Sequence, residues 1–262
     1  MKKLLFVTML ICAPVLVFAA GERDDWSFGI PIKGNGTIER TEIPLTPFSG
    51  IFISGNAVVN YHQSANRRAI VNVDSNLAEH VKVHIKNGVL HIGTKWGRYY
   101  SFTQFTVDVY APTLAGVSIY GTAQFAARSR IVAPSFKSHI SGRGKMEGVF
   151  QADDFSANIS GAGTIDAQLV SKNVKADVSG TSGMILRGTS DNMDISISGS
   201  GLLNARELRT RNANVRISGA GALRLWVLDN LKATVSGAGR IRYRGRPAID
   251  FKGSGAGRLE SE

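Results

Sequence analysis

A glycine returns along this chain at nearly constant intervals: Gly121, Gly142, Gly161, Gly180, Gly199, Gly219, Gly237 and Gly255, spaced by 21, 19, 19, 19, 20, 18 and 18 residues. Six of these copies read Ser-Gly-x-Gly, with Gly144, Gly163, Gly201, Gly221, Gly239 and Gly257 as the second glycine. A period of this length marks one supersecondary unit copied in series. A single unit cannot bury its own apolar face, whereas stacked neighbours share a continuous core.

The residues around each corner identify the unit. Before Ser-Gly stand Ile140, Ile159, Val178, Ile197, Ile217 and Val235. Two residues earlier come Ser138, Ala157, Ala176, Ile195, Val215 and Ala233, and two earlier again Phe136, Phe155, Val174, Met193, Ala213 and Leu231. Polar residues fill the positions between, so the period is two and the element is a half-buried strand. After the corner the alternation resumes with Ile165 and Ala167, Leu203 and Ala205, Leu223 and Leu225, and Ile241 and Tyr243. In the unit at Gly180, Ser182 replaces the second glycine, yet Met184 and Leu186 keep the inward phase.

A sharp corner between two strands needs positive φ or a backbone approach without a Cβ, and serine can bond local backbone groups. The predicted fold is all-β: a parallel β-solenoid (β-helix) of roughly 18–20-residue coils stacked about 4.8 Å apart. Residues 116–262 form its regular repeats. Residues 48–115 read as longer, irregular coils of the same solenoid, with strands at Ala57–Tyr61, Ala69–Val73, Val81–Ile85, Val89–Ile92 and Gln104–Tyr110 and a first corner at Gly55. Residues 20–47 read as an extended leader with little core.

The first residues read as an export signal, 1–19: Lys2 and Lys3, an apolar run from Leu4 to Phe18, then Ala19 as a small residue for cleavage. The run is shorter than the roughly 20 residues of a membrane span, so no anchor is expected after cleavage. Cys12 is the only cysteine and lies in that run behind the bulky Ile11, which does not suit lipoprotein processing. The mature chain therefore has no disulfide, although export takes it to an oxidising compartment, the periplasm or the cell surface.

Other residues resemble a known family. Gly34-Asn35-Gly36, Phe48, the stretch Ile51 to Gly55, the Asn76-Leu77 turn, Val89-Leu90-His91-Ile92 and the repeated Ile-Ser-Gly-Ala/Ser-Gly are together similar to the auto-transporter adhesin, head GIN domain family. The resemblance covers nearly all of the mature chain. It implies an exported bacterial β-helical domain and assigns no catalytic residue. An autotransporter also needs a membrane barrel of many strands, and the stretch Leu259-Glu260-Ser261-Glu262 reads as one more solenoid repeat instead.

Most familiar chemistry is absent from the pattern. The glycine corners lack the strand-to-helix setting of a phosphate loop, and no G-x-S-x-G elbow activates a serine. His80 and His84 have no carboxylate companion at ligand spacing. Asp153 and Asp154 point to opposite faces of a strand. No catalytic residue, metal or cofactor is expected.

Charge is more telling. The formal +11 includes Lys2 and Lys3, so the mature chain carries +9. Between Gly201 and Arg246 stand ten basic residues and only two acidic ones, Glu207 and Asp229. The repeat phase sets Asn204, Arg224 and Arg242 in one outward row and Arg206, Trp226 and Arg244 in the next, with Arg240 alongside. Like charges on neighbouring strands repel by up to about 1 kcal/mol per pair, which an anionic ligand would offset, with Trp226 as a stacking platform.

The predicted function is an adhesin-like module presenting this basic face to an anionic polysaccharide or lipopolysaccharide, with nucleic acid bound only non-specifically. A structural envelope protein that self-associates as a homo-oligomer is the alternative, and a polysaccharide-acting enzyme a remote one. The aromatic and basic segment Trp96 to Phe105 is a second candidate surface, expected chiefly to cover an open end of the solenoid.

Overall fold

The computed structural model describes residues 31–262; the predicted signal segment 1–19 and the leader to residue 30 lie outside the described residues. Gly55 and the eight recurring glycines form one column, each paired in parallel register with the glycine of the next coil. Their φ values run from 80° to 115°. Crowding adds to that demand: a Cβ on Gly161 would lie 2.8 Å from the carbonyl oxygen of Gly142. From Thr122 to Ala238 the residue after the corner locks the stack, as where the N–H of Ala162 donates to the Gly142 carbonyl at 2.9 Å. The fold is the predicted parallel β-solenoid.

Each coil contributes one strand before the corner and one after it, and the two faces enclose the core. In the middle of the stack the strands run on around the opposite bend as Lys145–Gly161, Thr164–Gly180, Gly183–Gly199 and Leu202–Gly219. The inward residues read from the alternation are buried: Phe136, Phe155, Ile159, Ile165, Leu203, Val215, Leu225 and Ile241 are each at most 2% exposed.

The N-terminal part departs from a simple series of irregular coils. Gly50–Gly55 and Val58–Gln63 form a coil that stacks on Gly116–Gly121 and Gln124–Ala127 on one side. On its other side lie Val89–Thr94 and Phe105–Ala111, which come between the two in sequence. Beyond them the pairing becomes antiparallel. Val81–Lys86 returns along Val89–Thr94 through a turn in which both Asn87 and Gly88 have positive φ, the pattern of a tight hairpin. Arg68–Asp74 runs antiparallel to Phe105–Ala111, and Ile38–Pro44 lies outermost against it. Within the expected leader, the described residues 31–47 hold strands: Ile38–Pro44 is an edge strand, and Ile32–Lys33 pairs with Tyr100–Ser101.

Asp74 ties this cap together. Its buried carboxylate accepts backbone N–H bonds from Gly36 at 2.9 Å, Thr103 at 2.8 Å and Gln104 at 3.3 Å. Burial alone would raise its pKa, but these donors outweigh it and hold the carboxyl below its ordinary value.

Candidate functional site

The predicted basic residues lie on the strands after the last corners. Asn204, Arg224, Arg242 and Glu260 form one outward row, and Ala222, Arg240 and Arg258 another. In the neighbouring row Trp226 lies between Arg209 and Arg244. Arg206, which the repeat phase assigned to that row, does not join it. The coil from Gly199 to Gly219 is two residues longer than the next, and register shifts between Ala205 and Arg209 and between Thr210 and Asn212 together absorb the excess. Leu208 turns into the core there, leaving Arg206 and Glu207 exposed outside it.

The repulsion expected along these rows is relieved within the chain. Glu262 approaches Nε of Arg206 at 2.8 Å and Nε of Arg224 at 3.9 Å. Glu260 lies 3.3 Å from Nε of Arg242 and 4.0 Å from Nε of Arg240. Such exposed pairs contribute only about 0–1 kcal/mol each, yet they place negative charge where the rows need it.

Trp226 is flanked rather than open. The guanidinium carbon of Arg244 is 4.3 Å from its ring centroid and that of Arg209 is 5.9 Å away, a cation–π arrangement from the coils on either side. The ring orients two guanidiniums instead of offering a bare stacking platform. Among the described residues Arg209, Arg244 and Arg246 have no carboxylate within 4.0 Å, in contrast to the paired Arg206, Arg224, Arg240 and Arg242.

The segment Trp96 to Phe105 divides. Phe105 is buried and Tyr100 and Phe102 pack against the core, whereas Trp96 is 100% and Tyr99 62% exposed. His84 and His91 stack across their hairpin at 5.3 Å between ring centroids. Burial, reinforced by His84 and Lys86, lowers the His91 pKa from its ordinary value. Among the described residues no three His, Cys, Asp or Glu side chains gather at metal-binding distance. The corner serines Ser160, Ser179, Ser198, Ser218 and Ser236 are exposed. The corner contacts predicted for their hydroxyls are made by backbone groups.

One polar array was not anticipated. Asp154, Asn173, Asn192, Asn212 and Asn230 occupy the same position on successive coils. Each asparagine donates to the side chain one coil back, at 2.9, 3.0, 3.2 and 2.8 Å in turn. The ladder borders an open trough of ≈ 720 Å³ whose other rim includes Lys137, Lys175, Asp194 and Lys232. The signal was present in the sequence, as Asn recurs every 18 to 20 residues from 173 to 230.

Residues 47–247 match the family model described as "Putative auto-transporter adhesin, head GIN domain". Among solved structures, a putative adhesin from Parabacteroides merdae is 28% identical with a TM-score of 0.85, covering 88% of this chain and 98% of its own. A putative adhesin from Parabacteroides distasonis is 27% identical with a TM-score of 0.84, covering 89% of this chain and 100% of its own. A putative lipid binding protein from the same species, at 24% identity and a TM-score of 0.84, shares the fold. A search of curated protein sequences finds no match.

Proposed function

We propose, from the premise that this chain belongs to the auto-transporter adhesin, head GIN domain family, that it is an exported, non-enzymatic binding module that holds anionic groups of a glycan or lipopolysaccharide on its last coils. The observation that carries this reading is the Arg209–Trp226–Arg244 row. Two guanidiniums without a carboxylate partner are held against one indole, beside rows in which Arg224, Arg240 and Arg242 are paired. Arg guanidinium forks suit carboxylate, sulfate and phosphate oxygens, and an aromatic ring between them limits the entropy lost on binding.

Retention of the mature protein on immobilised heparin and on immobilised lipopolysaccharide tests it, the two arms separating sulfated glycan from lipid-linked phosphate. Arg209→Glu combined with Arg244→Glu should move elution to much lower salt, while Lys172→Glu on another part of the coil should change it little. Retention indifferent to the double substitution rejects this face. The self-associating structural reading has its own support in Glu260 and Glu262, which neutralise part of the basic surface without any ligand.

A further inference from the structure

The two ends of the described stack differ. One end finishes in antiparallel strands with Ile38–Pro44 and Val81–Lys86 as its edges, whereas at the other the last coil, Ala248–Gly255 and Arg258–Ser261, pairs among the described residues with the preceding coil on one side only. Its inward residues are incompletely covered: Ile249 is 46% and Phe251 37% exposed, and Leu259 is half-buried. The N–H of Arg258 donates back to Gly239 and that of Glu262 to Tyr243. By the alternation of a parallel ladder, Leu259 and Ser261 then direct their N–H and C=O groups to the open side. Asp250 belongs to the outward column of Lys137, whose N–H donates back to Ala115, so Ile249, Phe251 and Gly253 also direct theirs outward.

We propose that this end docks on the same end of a second copy of this chain, about a two-fold axis passing through Phe251 and Leu259. Both residues face inward, and each is four positions from the corner Gly255, so one axis serves both strands. Each strand then runs antiparallel to its own copy. Phe251 faces Phe251 and Leu259 faces Leu259 as hydrogen-bonded pairs, the phase that their outward backbone groups require. Asp250 faces Lys252 of the second copy and Arg258 faces Glu260, each pair occurring twice by symmetry. Ile249 faces Gly253. Moving the axis by one residue sets Asp250 or Lys252 against itself.

Light scattering and sedimentation of the intact mature chain test the arrangement. A reversible dimer is expected. Lys252→Asp should weaken association by about tenfold or more, because it sets like charges opposite each other twice, with the circular dichroism spectrum unchanged. Exchanging the pair, Asp250→Lys with Lys252→Asp, should restore the dimer. A monomeric unsubstituted chain, a dimer indifferent to Lys252→Asp, failure of the exchange to restore association, or growth into long polymers would each overturn the proposal.

Discussion

At Gly161 two demands coincide, a φ of 115° and a would-be Cβ 2.8 Å from the Gly142 carbonyl oxygen. At Gly163 only crowding applies: a Cβ would lie 2.6 Å from Cγ2 of Ile140. Elsewhere in that second column Ala57, Ala123 and Ser182 carry a Cβ, with Ala57 and Ala123 accepting the equivalent backbone bonds. Gly161→Ala should therefore cost about 1–3 kcal/mol in urea unfolding, and Gly163→Ala less. Equal losses would show that φ does not matter at the corner. Strict alternation made the inward residues legible, because every other side chain of a strand shares a face. Arg206 shows where that reading fails. Alternation counts residues but does not reveal a register slip; the only hint was a 20-residue interval followed by one of 18.

Strands along the chain were foreseeable, but their direction in the N-terminal cap was not. Ala69–Val73 and Gln104–Tyr110 have the same alternating pattern whether neighbours run parallel or antiparallel, and only the three-dimensional return of the chain decides. The asparagine ladder is also a property of elements, since one amide has no neighbour until coils stack. Asn192 both donates to Asn173 and accepts from Asn212. Asn192→Ala should therefore remove about 1 kcal/mol, the scale of exposed hydrogen bonds, measured as a shift in the denaturation midpoint. No change would mean that water replaces the ladder without loss. The carboxylates facing the basic rows were likewise invisible in their own repeats, because Glu260 and Glu262 come from the final coil.

For the whole molecule, stability in a solenoid is shared between each coil and its nearest neighbours, so the position of a coil matters as much as its composition. Hydrogen exchange of dilute protein should be slowest between Ile159 and Val215, which have coils on both sides, and fastest in Ala248–Ser261. Uniform exchange would indicate that the stack opens only as one unit. Chain order and spatial order part company once: the strands between Val89 and Ala111 lie on one side of Gly50–Gln63, and those from Gly116 onward lie on the other. Residues emerge in numerical order, so the antiparallel end can be finished once Ala111 has emerged, before any regular repeat exists. Each later coil then meets a completed template, and the regular part of the stack grows from one edge at a time.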